Sequence, residues 1–321
     1  MRICFLLIAL VALPVSAQTS RCTAEHYKIV AIPIVPAAIN DSGVIVGTTS
    51  KHKAALWNEK TGVKEISVPA GFSLAEGIGI NNRGDVIGLA TNDASSKRQA
   101  FVYRDGKLLL LPGRESKATA MNDAGDISGE ATLPKKEVSS AVVWKKDSAI
   151  DLGGCCGGTA TTLNNHGQVA GQIYDDQGRY SAFLWDSTHG LQRIGPSNTF
   201  SSAVTINDSG HIVIQEFTRH GVFLYADGKL APLDLSPKFP SRPRAMNNCD
   251  AIVGSFGPFA DAERAFTWDP SRGFRDLNDL IPANSGWKLE AATGINNNGE
   301  IVGWGDYKHE DNAGFLLIPE P

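Results

Sequence analysis

The sequence predicts an all-β, seven-bladed propeller of four-stranded blades, on three observations. A turn pattern, clearest as Asn296-Asn297-Asn298-Gly299-Glu300-Ile301-Val302-Gly303, recurs seven times. Its leading asparagines, Asn40, Asn81, Asn122, Asn164, Asn207, Asn247 and Asn296, stand 41, 41, 42, 43, 40 and 49 residues apart. The intervals hold short β-branched and aromatic runs bounded by turn residues, without helical periodicity. A period of about 40 to 45 residues belongs to helical HEAT units or to propeller blades, and the missing helical periodicity selects the propeller.

Taken in order, the chain opens with Arg2, an apolar run from Ile3 to Leu13 and the small-residue site Val15-Ser16-Ala17. That order is a secretory signal peptide, residues 1–17, with cleavage expected after Ala17. The apolar run is too short to span a bilayer, and no other stretch is long enough. Residues 18–321 are read as one propeller domain, secreted or periplasmic, and expected to be a monomer. Net charge is −4, and removing Arg2 makes it −5 (−4 − 1). Mild acidity argues against nucleic acid or an anionic membrane surface as the main partner.

Each unit then repeats one plan. A short inner strand ends in a small residue or Thr two positions before the asparagine, as in Ala38, Gly79, Thr162 and Gly294. The Asn-x-x-Gly sequence makes a tight hairpin, since Asn bonds its own backbone and Gly takes the left-handed position. At the sixth turn Asp250 replaces Gly, so an irregular turn is expected there. A second strand ends in Gly (Gly47, Gly88, Gly303), an aromatic third strand follows (Ala54 to Trp57, Ala182 to Trp185), and a fourth strand completes the blade. The seventh unit stops at Pro319 without a fourth strand. Tyr27 to Pro33, ahead of the first turn, matches that strand and is expected to close the ring.

The C-terminal part carries a family resemblance. Leu277-Asn278-Asp279-Leu280-Ile281-Pro282, Ser285-Gly286-Trp287-Lys288-Leu289, Ala292-Thr293-Gly294-Ile295-Asn296 and Gly314-Phe315-Leu316-Leu317-Ile318-Pro319 resemble the HAF family of extracellular repeat proteins. The His-Ala-Phe triplet itself is absent, and Ala100-Phe101, Ala182-Phe183 and Ala265-Phe266 keep two of its letters. The resemblance implies β-propeller-like repeats across residues 18–321 and no particular activity or catalytic set.

Chemistry-bearing motifs are few. The Asn-x-x-Gly turns lack the alternating oxygen ligands and the bidentate carboxylate of a calcium loop. Asn40-Asp41-Ser42 and Asn207-Asp208-Ser209 match the glycosylation sequon, but an Asn that holds a turn is a poor acceptor. No histidines pair at metal-ligand spacing, no CxxC exists, and no nucleophile elbow or phosphate loop is present. No catalytic residue, metal or cofactor is therefore assigned. The row Trp57, Tyr103, Trp144, Trp185, Tyr225 and Trp268 falls at one strand position and is read as packing between blades.

Ligand-binding candidates lie where the repeats differ. Five residues before each asparagine, expected just ahead of the inner strand at the channel mouth, stand Val35, Glu76, Lys117, Thr159, Ser202, Arg242 and Ala291. Arg244 and Glu290 are close by. Trp287, Trp304 and Tyr307 fall outside the repeating aromatic position and are placed in or near the long sixth-to-seventh connection, where exposed aromatics suit a ligand. The expected function is an exported binding or interaction module for a glycan, peptide or envelope component. The alternative is a propeller hydrolase or lyase acting on glycans, with Glu76 or Glu290 working beside Arg242 or Arg244. Cys22, Cys155, Cys156 and Cys249 permit two disulfides, Cys155–Cys156 within a glycine loop and Cys22–Cys249 pinning the closure.

Overall fold

The computed structural model describes residues 22–146, 148–236, 239–258, 263–308 and 310–320. The signal-peptide segment 1–17 lies outside them. Seven antiparallel sheets of four strands form the blades. In six blades the strands follow chain order from the inside out. In the seventh the order is Trp287–Ile295, Ile301–Tyr307, Glu310–Pro319 and then Tyr27–Ile32 from the other end of the chain. That last pairing runs from Tyr27↔Pro319 to Ile32↔Gly314, so the outermost strand of the last blade is N-terminal.

The closing segment is also clamped to blade 6. The backbone N–H of Tyr27 donates to Leu280 O at 2.9 Å, Thr23 Oγ1 donates to Asp269 Oδ2 at 3.0 Å, and Arg275 donates to Ala24 O at 2.7 Å. Cys22 is bonded to Cys249 in the sixth turn. Burial pushes the Asp269 carboxyl up, but hydrogen bonds from Ser271, Thr23 and Arg272 outweigh it and hold the group below the usual carboxylate range.

Among the described residues the core is divided rather than single. Seven apolar clusters each join two neighbouring blades. Trp144 packs with Ile87 and Val102 of the preceding blade, and Trp57 packs with Val302 and Leu316 of blade 7. Phe101, Phe183, Phe266 and Phe315 are fully buried. These rings supply the large apolar areas that glue one sheet to the next.

Every inner strand bulges one position beyond the fourth residue before the asparagine, as between Gly77 and Gly79 or Ala118 and Ala120. The bulge turns a carbonyl towards the second strand, so a Cβ on Gly88 would lie 2.2 Å from Glu76 O and one on Gly303 2.0 Å from Ala291 O. Small residues two before the asparagine have a similar cause. A Cβ on Gly294 would reach 3.3 Å from Ala38 Cα of the next blade, where inner strands converge. The sixth turn is regular, contrary to the sequence expectation. Asp250 takes the left-handed conformation (φ 60°), which Asp tolerates, and its N–H bonds Asn247 O at 3.2 Å as glycine does elsewhere.

Candidate functional site

The strand order gives the propeller two unlike ends. One carries the seven Asn turns, the other the loops between second and third strands and the connections between blades.

At the turn end, two hydrogen-bond belts encircle the axis. Each anchor Asn accepts amides of its own turn on Oδ1, as Asn40 does from Ser42 and Val44 at 3.1 and 3.0 Å. Its Nδ2 donates to the carbonyl of the next anchor, from Asn40 to Asn81 and onward round to Asn296, whose Nδ2 reaches Asn40 O. Outside this belt the residues one later, Asp41, Asn82, Asp123, Asn165, Asp208, Asn248 and Asn297, form a second. Each backbone N–H donates to the next side chain's Oδ1 at 2.8–3.0 Å, again closing from Asn297 to Asp41. The asparagine carboxamides also bond the flanking carboxylates, Asn82 to Asp41 and Asp123, and Asn165 to Asp123 and Asp208. Burial raises the Asp208 carboxyl, but the Asn165 amide and the Asn248 and Asn165 carboxamides hold it below the ordinary range. The opening they ring is small, about 180 Å³. These polar groups are already engaged with each other and have little left for a ligand.

The loop end is different. Between blades 2 and 3 a cleft of about 630 Å³ is lined by Glu76, Arg98, Glu115, Lys117 and Glu130. Glu130 accepts a 2.6 Å bond from Thr159 of blade 4. The other four charged groups are in no ion pair among the described residues. Between blades 5 and 6, Phe217, His220, Pro240, Arg242 and Arg244 line about 430 Å³, with Arg242 bound to Glu263 at 2.8 Å. Between blades 4 and 5 a cleft of about 590 Å³ is lined by Tyr180, Phe200, Asp175, Asp176, Arg179 and Arg193. Phe200 and Phe217 expose 39% and 45% of their surface, and Phe239 in the next connection exposes 42%. Three exposed phenylalanines gathered on adjoining blades of one end are the chain's distinctive surface feature.

Several sequence-derived candidates sit differently from their expected places. Glu76, Lys117 and Arg242 lie within inner strands rather than ahead of them, paired with Leu89, Glu130 and Ser255. Pairing extends upstream of the bulge, where the repeat leaves no sequence mark. Ser202 and Ala291 are buried. Glu76 and Lys117 share one cleft, and Arg242 and Arg244 share another. Glu290 is apart from Glu76, in a bulge of blade 7, where Lys288 Nζ donates to it at 2.6 Å. Trp287, Trp304 and Tyr307 are half-buried on strands, not on a loop. Trp287 and Tyr307 face each other across two strands and stack at 4.5 Å, and Trp287 also meets the edge of Phe315. Their stacking surface is thereby used internally. Cys155 and Cys156, in the blade 3–4 connection of the loop end, are bonded to each other. No cluster of three or more His, Cys, Asp or Glu among the described residues is arranged to hold a metal ion, and no described helix is long and apolar enough to cross a membrane.

Tyr180, Phe200 and Phe217 were not among the sequence candidates. Their signal is aromatic residues, phenylalanine as well as Trp and Tyr, outside the repeating strand position.

No family model matches the sequence, and no curated protein matches it. Solved structures do resemble the fold. Virginiamycin B lyase from Staphylococcus aureus superposes with a TM-score of 0.60 at 12% identity, over 92% of this chain and 100% of that one. YCF48 bound to D1 peptide gives 0.56 at 10% identity, over 92% and 95%. The RRP9 WD40 repeats give 0.54 at 13% identity, over 93% and 98%. At such identities the likeness is one of fold alone: this chain is a seven-bladed β-propeller.

Proposed function

We propose that the chain is an exported, monomeric propeller of the HAF type that works as a binding module through its loop end. The observation that carries this reading is the contrast between the ends. Polar groups of the turn end are engaged in two closed belts, whereas the loop end offers exposed Phe200, Phe217 and Phe239, with Asp176 and Arg193 lining the Phe200 cleft and in no ion pair among the described residues. Ligand sites on rigid scaffolds are commonly built from such loops. Export is supported by the Cys22–Cys249 and Cys155–Cys156 bonds, which persist in oxidising compartments. The proteins it resembles in fold include one bound to a peptide, consistent with a module of this architecture holding a partner.

The test is an array of glycans and peptides probed with the wild type, a loop-end variant (Phe200→Ala with Arg242→Ala) and a turn-end variant (His166→Ala). Loss of signal in the first variant alone supports the reading, and loss only in the second overturns it. A second reading, a glycan hydrolase or lyase, draws on Glu76 and Glu130 lining one cleft together with Lys117. Released product from any arrayed glycan, abolished by Glu76→Gln, would favour it.

A further inference from the structure

We propose that the cleft between blades 4 and 5 is a subsite for a neutral pyranose residue of a glycan. The proposal deepens the loop-end reading and rests on it. Its floor is aromatic. The Tyr180 ring lies 5.1 Å from Phe200, 6.0 Å from Phe217 and 5.6 Å from Tyr174, tilted against each. The Tyr180 hydroxyl is held neutral, its titration pushed up by burial and by Tyr174. Of these rings Tyr180 and Phe200 line the cleft, and Phe200 keeps much of its carbon surface in water, the arrangement that an apolar ligand face would cover. The volume, about 590 Å³, falls in the range of roughly 300–1,000 Å³ usual for small-ligand pockets.

The polar rim decides what sits on that floor. Asp175 is occupied, since Arg179 Nε donates to it at 2.9 Å and the amides of Gln177 and Arg179 donate as well. Arg193 donates to the neutral Ser181 hydroxyl and is in no ion pair among the described residues; Asp176 is in none either. One unneutralised cation and one unneutralised anion leave the cleft without net charge. An acidic sugar would meet Asp176, and an amine would meet Arg193. Neighbouring sugar hydroxyls each donate and accept, so a guanidinium and a carboxylate on one rim suit them. A pyranose combines such hydroxyls with a C–H face for Tyr180 and Phe200. A lipid or purely aromatic ligand would leave both charges unpaired.

Titration calorimetry of the folded protein with cello-, manno- and chito-oligosaccharides tests the assignment. At least one series should bind, and Phe200→Ala and Arg193→Gln should each weaken it at least tenfold with the melting temperature unchanged. His166→Ala, exposed at the turn end, should bind like the wild type. If sugar binding survives Phe200→Ala and Arg193→Gln but is lost in Glu76→Gln, this subsite is wrong and the loop-end reading stands. If no oligosaccharide binds while an arrayed peptide does, and Phe200→Ala removes that peptide, the sugar assignment is overturned alone. If neither sugar nor peptide binding responds to any loop-end substitution, both fall.

Discussion

Asn296 Nδ2 donates to the carbonyl of Asn40 at 3.0 Å, joining residues 256 apart in sequence. It is the same bond that joins Asn40 to Asn81 and Asn81 to Asn122. Only asparagine has both the acceptor its own turn uses and the donor the next turn uses, at this side-chain length.

Asn122→Asp should therefore be more harmful than its size suggests. It keeps the acceptor but removes the donor to Asn164 O at a nearly buried position. The expected loss is about 1–3 kcal/mol, the range for stranding a buried polar partner, read as a lower urea midpoint with unchanged slope.

Closure is tested by truncation. A chain beginning after Pro33 loses the strand paired with Glu310–Pro319 and the contacts to blade 6. It should melt many degrees lower than the full chain, with hydrogen exchange fastest in blades 6 and 7. Melting within a degree or two of the full chain would show that the strand is dispensable.

Gly125→Val and Gly84→Ala form a pair. Both glycines have left-handed φ (88° and 85°), but a Cβ at 125 meets the Arg83 and Arg104 guanidiniums at 2.5 Å whereas one at 84 meets nothing within 4 Å. Gly84→Ala should cost about 1 kcal/mol and Gly125→Val about 2–3, because β-branching adds strain. Equal melting temperatures would refute the comparison.

Stability should fall at both extremes of pH. The folded Asp269 carboxyl titrates below its ordinary value, so its contribution is present above about pH 4 and is lost as pH falls through the folded pKa. The Tyr27 phenol is raised, chiefly by burial, so its contribution is present below about pH 10 and is lost as pH rises through the folded pKa. Asp269→Asn should flatten the acid limb and Tyr27→Phe the alkaline limb of a denaturation series taken across pH.

Much of the scaffold was legible because the same turn chemistry is written at every anchor. The missing last strand after Pro319 pointed to Tyr27 for the same reason. The site was less legible. A spacing of 41 residues shows that Asn40 and Asn81 are alike, but not that they touch. Upstream of the bulge, inner-strand residues such as Glu76 and Lys117 carry no repeat signal, so their pairing has no mark in the sequence. Trp287 and Tyr307 read as free aromatics, yet cross-strand register places each against the other. Phe200 and Phe217 come from different loops, and only the ring brings them near Tyr180.

The outer belt carries one more consequence. Its Asp and Asn residues alternate from Asp41 to Asn248, but a circle of seven has odd parity and cannot alternate throughout. The mismatch falls between Asn248 and Asn297, where two carboxamides meet and no carboxylate stands between them. That seam lies beside the Cys22–Cys249 bond and under the longest spacing between anchors, 49 residues. The arithmetic of an odd ring thus leaves one irregular joint, and the chain has set it beside the covalent fastening of its closing segment.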